Sequence, residues 1–200
     1  MKLINQEKIY KNKILKLKLI KTKIYKKNPN TFVKLEDISS RLKKFFSIVY
    51  NYHINNKKIL FVGTPISMPI KFKKAINKTN HLFLPESVWL SGILTNHEAS
   101  IKYLSKNPKS INNKISEIFF KMQKKSDLIV VLNFFSNQKP IIEAYLARIP
   151  IICLNCNLNI TDQILSYKVP GNFKFKNKKV RNILTYTILQ AIFIKKYNKC

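Results

Sequence analysis

Short apolar runs alternate with segments of helical periodicity along the middle of the chain. Uninterrupted apolar stretches of strand length predict strands at Lys58–Val62, Leu128–Leu132 and Pro150–Leu154, and a shorter one at His81–Leu84. Apolar residues at helical spacing predict helices over five segments: Asp37–Tyr52, Ile66–Asn77, Thr95–Ser105, Pro140–Ala147 and Val180–Lys196. Apolar strands separated by helices imply a mainly parallel sheet covered on both faces, so the expected fold class is α/β, doubly wound.

Local signals add detail to this outline. Thr95 or Asn96 is expected to cap its helix, and Glu143 is expected to be exposed on the helix that contains it. The dipeptide Gly63-Thr64 is interpreted as the turn that ends the first strand. The polar, basic segment Asn107–Lys125 carries apolar residues on one helical face: Ile111, Ile115, Ile118 and Phe119.

No apolar run approaches the roughly 18–20 residues that a membrane-spanning helix needs. Residues 1–27 have neither the apolar core of a secretory signal nor the Arg and Ser richness of an imported transit peptide, as expected of a protein made inside an organelle. We expect a basic N-terminal extension over residues 1–34 and a single α/β domain over 35–200.

The charge balance then narrows the class of partner. The chain has 38 Lys and Arg against nine Asp and Glu, a formal net charge of +29, yet 46% of its residues are hydrophobic. Residues 1–34 contain eleven Lys and one acid, residues 168–200 contain nine basic residues and no acid, and residues 126–167 are nearly neutral. Self-repulsion on this scale weakens a compact state unless a polyanion neutralises it. A folded centre with basic terminal arms is therefore predicted to bind nucleic acid.

The candidate RNA-binding residues are the basic residues of the two arms: Lys16, Lys18, Lys21, Lys23, Lys26, Lys27, Lys174, Lys176, Lys178, Lys179 and Arg181. Tyr25 and Phe32 are candidates either for stacking on bases or for packing within the protein. Only three basic residues are Arg, and Asn, Ile and Phe are plentiful. This bias is typical of an A/T-rich genome, often an organellar one, so part of the Lys excess reflects coding.

Signals for catalysis or metal binding are weak. Gly63 alone does not supply a dinucleotide fingerprint, and Cys153 and Cys156 form a lone C-x-x-C without the second pair that a zinc site wants. We interpret Cys153 as a buried structural residue and Cys156 as unremarkable. The histidines His53, His81 and His97 are scattered along the chain and form no catalytic motif. The acids Glu86, Glu98 and Glu143 are interpreted as surface residues or as ion-pair partners of nearby Lys. No enzyme activity, cofactor, metal, small-molecule substrate or membrane association is expected.

A series of short motifs occurs in a fixed order. It consists of Lys58-Ile59-Leu60-Phe61-Val62-Gly63-Thr64, Trp89-Leu90-Ser91-Gly92-Ile93-Leu94-Thr95-Asn96, Ser126-Asp127-Leu128-Ile129-Val130-Val131, Glu143-Ala144, Ile149-Pro150-Ile151 and Val169-Pro170-Gly171-Asn172. The series resembles small-subunit ribosomal protein two, a bacterial and organellar family, from about Val33 to Lys196. Ser91 replaces a Gly of the family pattern, and Val88 replaces a basic residue. The family's helical hairpin would fall at about 97–125, where the stretch is short and implies a reduced arm.

The resemblance implies a structural protein of the small ribosomal subunit, without a catalytic role. It would bind rRNA near the head–body junction and contact neighbouring small-subunit proteins. The motif residues expected to shape the fold are Gly63, Thr64, Trp89, Gly92, Thr95, Asn96, Pro170, Gly171 and Asn172. Trp89 by itself fits a core anchor or a stacking platform. The alternatives are a free RNA-binding or assembly factor and a nucleotide-dependent α/β enzyme, and the expected location is a mitochondrion or, alternatively, a plastid.

Overall fold

The computed structural model describes residues 35–64, 68, 70–85, 88–106, 126–134, 137–156, 164–171 and 184–195. Helices and strands alternate from Leu35 to Leu154, after which the described residues form a further strand and a final helix. The helices are α1 (Leu35–Ile54), α2 (Ile70–Asn77), α3 (His97–Lys106), α4 (Gln138–Leu146) and α5 (Leu184–Lys195). The strands are β1 (Ile59–Thr64), β2 (Leu82–Pro85), β3 (Leu128–Val131), β4 (Ile151–Leu154) and β5 (Tyr167–Val169).

The five strands form one parallel sheet in the order β2-β1-β3-β4-β5. Strand order reverses after β2, since β3 returns to the other side of β1. Crossovers in parallel sheets are right-handed, so connections that run in opposite directions along the sheet lie on opposite faces. Accordingly α2 and α4 contribute to separate clusters on the two sides of the sheet. The predicted doubly wound α/β fold is confirmed.

One side of the sheet, which we call the aromatic face, is covered by α1, α2 and α5. The buried stripe of α1 recurs every three or four residues and faces the sheet: Ile38, Leu42, Phe45, Val49 and His53. The 8-residue α2 buries only Phe72 and Ala75. Phe72 packs among Phe83, Tyr186 and Phe193, with ring centroids 5.4, 4.8 and 6.2 Å away. A single aromatic side chain therefore anchors α2 to this face.

The opposite side, the α4 face, is covered by α4 and by the segment Val88–Leu94. It buries smaller aliphatic side chains than the aromatic face, chiefly Leu, Ile, Val and Ala. From α4 it takes Ile141 and Ala144, and Trp89 packs against its edge. This face therefore depends on one helix and an irregular segment in the described part of the chain.

The element boundaries correct several sequence predictions. β1 does not end at Val62: it continues through Thr64, with a register shift between Val62 and Thr64 and a positive φ of 83° at Gly63. Helix α2 begins at Ile70 and not at residue 66. β5 was not predicted at all.

The predicted cap of α3 is described by the structure, whereas the predicted arms largely are not. Asn96 precedes α3 and its carbonyl accepts the Ser100 N–H at 3.1 Å, so Asn96 occupies the N-cap position. The rest of the expected helical arm, 107–125, lies outside the described residues, as do the N-terminal extension and most of the C-terminal arm. Within the described ranges, no helix combines the length and apolarity needed to cross a membrane.

Candidate nucleic-acid interface

The candidate RNA-binding residues named from the sequence all lie outside the described residues, and so do Tyr25, Phe32 and Asn172. The described part of the chain also presents positive charge, on helices for which no RNA-binding residue was predicted.

Exposed lysines lie on or beside α1 and α2, the two helices that pack against α5 on the aromatic face: Lys43, Lys44, Lys57, Lys71, Lys73, Lys74 and Lys78. Helix α2 has no acidic residue in its first turn, and three of its eight residues are exposed Lys. The acids of α1 are Glu36 and Asp37, in its first turn, where they complement the helix dipole. We call these seven lysines the lysine surface.

Two of these lysines lie close to aromatic rings. Lys44 Nζ is 5.4 Å from the Tyr167 ring centroid, and Lys57 Nζ is 5.5 Å from that of Tyr52. Cation–π contact at this range holds a long side chain near one position. Burial raises the pKa of the Tyr167 hydroxyl, which donates to the Arg41 carbonyl at 3.2 Å. Lys44 is thus partly positioned by the edge strand β5, and Lys57 by the last turn of α1.

A buried histidine pair lies beneath the same helices, which corrects the expectation that the histidines are scattered. The Ile59 N–H donates to His81 Nδ1 at 3.3 Å, so His81 carries its proton on Nε2. That proton is donated to His53 Nδ1 at 2.9 Å. Phe193 lies against both rings, with centroids 5.3 and 5.1 Å away. The pair joins the end of α1 to the start of β1 and β2. His53 continues the buried stripe of α1, so helical periodicity could have predicted that its side chain is buried.

Glu143 holds the Trp-containing motif in place, which corrects its predicted exposure. Its carboxylate is buried and accepts the Trp89 Nε1–H at 3.0 Å and the Leu94 N–H at 2.7 Å. A third, longer bond comes from the Thr95 N–H at 3.4 Å. Glu143 lies three residues after buried Pro140, so helical spacing placed it on the buried stripe of α4. Trp89 is consequently half-buried against the α4 face.

Gly92 shapes the same motif through its backbone. Its φ is +88°, a conformation that residues with a side chain rarely adopt, and an added Cβ would lie 3.3 Å from Ser100 Oγ. The Thr95 side chain is exposed, whereas Pro170 is buried and Gly171 is half-buried at the end of β5. The structure brings Trp89 and Thr95 together on Glu143 and places Gly92 against Ser100. Gly63 and Pro170 lie apart from them, near the end of β1 and directly after β5.

The carboxyl ends of β1 and β3 flank the position where strand order reverses, the usual ligand site of doubly wound sheets. Here the Asn137 side chain fills the space beside Gly63: a Cβ added to Gly63 would lie 2.6 Å from Asn137 Nδ2. Asn137 Nδ2 donates to the Asn133 carbonyl at 2.8 Å, and Asn155 Nδ2 donates to the Leu132 carbonyl at 2.9 Å. These amides satisfy the loop backbone where a nucleotide phosphate would otherwise approach.

The outer surface of α4 differs from the lysine surface. Ile142, Tyr145 and Leu146 are 55%, 51% and 66% exposed, and their spacing places them on one side of the helix. The exposed cations of this helix and its C-terminal turn are Lys139 and Arg148. We call Ile142, Tyr145 and Leu146 the apolar stripe of α4.

The fold places the chain among doubly wound α/β proteins. Its sequence matches the family Ribosomal protein S2 over residues 18–118, half of the chain, and the chain belongs to this family. The resemblance inferred from the ordered motifs is thereby confirmed. The match begins inside the segment 1–34 that the sequence analysis treated as an extension.

Two bacterial relatives agree with this assignment. Small ribosomal subunit protein uS2 of Endomicrobium trichonymphae is 24% identical over 171 residues, which cover 73% of this chain and 69% of the relative. The uS2 protein of Mesoplasma florum is also 24% identical over 171 residues, covering 73% of this chain and 64% of the relative. The aligned part of the chain thus spans about two thirds of the length of each relative.

Proposed function

We propose that this protein is a structural constituent of the small ribosomal subunit that binds rRNA through its basic arms and through the lysine surface. The observation that carries the proposal is the set of exposed lysines on and beside α1 and α2, on one face of a member of the Ribosomal protein S2 family. The proposal includes no catalytic role. Contact with rRNA near the head–body junction and with neighbouring small-subunit proteins is part of it.

The chemistry of the lysine surface suits RNA. Lysines on a rigid scaffold neutralise closely spaced phosphates and release counterions, which gives strong, salt-dependent affinity with little sequence preference. Folded RNA is recognised largely by shape and backbone, and a lysine ammonium meets this requirement as a point charge. Because Phe72 holds α2 on the sheet, Lys71, Lys73 and Lys74 are presented from a fixed helix.

The experiment that tests the proposal compares two triple variants of equal charge. Lys71→Gln/Lys73→Gln/Lys74→Gln removes three cations from α2, and Lys102→Gln/Lys106→Gln/Lys139→Gln removes three from α3 and α4. Binding to a small-subunit rRNA transcript is measured across a salt series. Each lost phosphate contact lowers the salt slope by about one, so the α2 variant is expected to lose roughly tenfold or more in affinity and about two to three units of slope. Equal losses in both variants would show that net charge, and not the lysine surface, governs binding.

Sedimentation of the tagged protein separates the ribosomal role from that of a free RNA-binding or assembly factor. The protein is expected to stay with the small subunit at moderate and high salt. Persistent absence from that particle would favour the free factor. A nucleotide-dependent enzyme predicts saturable nucleotide binding by calorimetry, whereas the Asn137 side chain packed beside Gly63 leads us to expect none.

We further propose that the ribosome concerned is mitochondrial, with a plastid ribosome as the alternative. The proposal is supported by composition: three Arg among 38 basic residues, together with many Asn, Ile and Phe, fit an A/T-rich organellar genome. Hybridisation of the coding sequence to purified mitochondrial, plastid and nuclear DNA tests it. A nuclear signal alone would contradict organellar coding.

A further inference from the structure

The two cysteines of the C-x-x-C segment lie together at the carboxyl end of β4. Cys153 is in the strand, on its α4-face side, and is completely buried. Simple alternation would place Cys156 on the opposite side of the sheet. Asn155 prevents this, because its φ of 59° turns the chain, and Cys156 joins the same buried cluster as Cys153. The backbone thus places both thiols on one face, which the interpretation of Cys156 as unremarkable had missed.

The surroundings of the pair are polar on one side. Cys156 Sγ lies 3.5 Å from the Cys153 carbonyl and 3.9 Å from the Val169 carbonyl. Lys168, only 7% exposed, is in register with Cys153 on the neighbouring strand, so its side chain leaves β5 on the same face as the thiols. A buried ammonium close to two sulfur atoms favours thiolate over thiol.

The two thiols are unequal. A hydrogen bond from the Cys153 side chain is the largest influence that lowers the pKa of Cys156, and the backbone of Val169 and the charge of Lys168 add to it. The same hydrogen bond, together with burial, raises the pKa of Cys153. The lowered pKa favours Cys156 over Cys153 as the attacking sulfur in thiol chemistry.

A conventional metal site does not fit these residues. Among the described residues, no group of three or more His, Cys, Asp and Glu side chains is placed to hold an ion. A pair of adjacent thiols without further ligands is instead suited to thiol–disulfide exchange.

We propose that Cys153 and Cys156 form a redox-active dithiol that closes to an intramolecular disulfide by exchange with a low-molecular-weight disulfide such as glutathione disulfide. The Cys156 thiolate attacks one glutathione sulfur, which forms a mixed disulfide and releases one glutathione thiolate. Cys153 then loses its proton and attacks the Cys156 sulfur, releasing the second glutathione thiolate. The two protons of the protein thiols end on the two glutathiones, so the protein is oxidised and one glutathione disulfide is reduced.

Local opening of β5 gives a disulfide access to the buried thiols. β5 has three residues and pairs only with β4 in the described sheet. Short edge strands open far more often than the central strands of a sheet. Exchange is therefore expected to be slower than for an exposed thiol while still reaching completion without global unfolding.

The full chain is equilibrated with glutathione buffers of increasing disulfide fraction, quenched in acid, denatured and alkylated. Mass spectrometry of the peptide that contains both cysteines then measures its state. Cys200→Ser is carried in every sample so that the third thiol does not exchange. We expect the peptide to carry no alkyl groups and to be two mass units lighter than the unmodified dithiol peptide, with circular dichroism of the domain unchanged.

Two single variants assign the roles of the sulfur atoms. Cys153→Ser is expected to accumulate a stable glutathione adduct on Cys156, because nothing resolves it. Cys156→Ser is expected to form adducts on Cys153 roughly tenfold more slowly or worse. A peptide of the unsubstituted pair that stays fully reduced in folded protein would overturn the proposal, as would a disulfide between two chains. Equal adduct formation in the two variants would overturn the assignment of Cys156 as nucleophile.

Discussion

The two sides of the sheet differ in the buried side chains that stabilise them and in the residues that they expose to solvent. The aromatic face is held by interlocked rings and a neutral histidine pair, and it presents the lysine surface. The α4 face is held by aliphatic side chains and by one carboxylate, and it presents the apolar stripe. Cations suit phosphates, whereas an apolar stripe with few charges suits another protein. One domain thus offers two chemically distinct surfaces.

The largest expected effect concerns the anchor of the lysine surface. Replacing Phe72 with Ala removes the main buried side chain of α2 and is expected to cost about 4 kcal/mol of unfolding free energy, measured by urea titration. Phe72→Leu keeps part of the volume and is expected to cost less. Ile70→Ala, at an exposed position of the same helix, serves as the control and is expected to change stability by under about 0.5 kcal/mol. A cost below about 1 kcal/mol for Phe72→Ala would show that α2 is not held by this ring.

The second effect concerns the carboxylate of the α4 face. Glu143→Ala leaves the Trp89 indole and two backbone N–H groups without their acceptor, and it is expected to cost about 3 kcal/mol. Glu143→Gln keeps one acceptor oxygen and is expected to cost about half as much. Tryptophan fluorescence follows the unfolding directly, since Trp89 is the only Trp in the chain. Equal stability of the Ala and Gln variants would rule out the hydrogen bonds as the source.

The smallest effect on stability is expected at the apolar stripe. Ile142→Ser/Leu146→Ser changes two exposed side chains and is expected to alter the unfolding free energy by about 0.5 kcal/mol or less. Binding to the rRNA transcript should match that of the unsubstituted protein, in contrast to the α2 lysine variant. A loss of RNA affinity comparable with that variant would break the distinction between the two surfaces.

The sequence predicted the sheet well because its central strands are buried on both faces. β1, β3 and β4 are entirely buried, so β3, β4 and the first four residues of β1 are uninterrupted apolar runs of strand length. β5 was missed because three residues with a central Lys carry no apolar run. The end of β1 was misplaced because Gly63 signals a turn, whereas here it provides a bulge within the strand.

The candidate sites were less accessible to sequence reasoning. Charge predicted basic arms, which lie outside the described residues, whereas the lysine surface depends on which helices share a face, and that follows only from the topology. His53 and His81 are 28 residues apart and meet through the pairing of α1 with the sheet. Glu143 was misjudged because a carboxylate in a basic chain suggests an ion pair, while its actual donors are an indole and backbone amides.

The two border strands of the described sheet, β2 and β5, affect whether a strand of another molecule can pair with it. β2 closes with Pro85, which has no N–H to offer a further strand, and β5 is three residues long with the inward Lys168 at its centre. An added strand would have to pair beside a proline on one border or beside a buried cation on the other, both of which are unfavourable. Edge-to-edge pairing of two copies is therefore disfavoured at both borders of the described sheet.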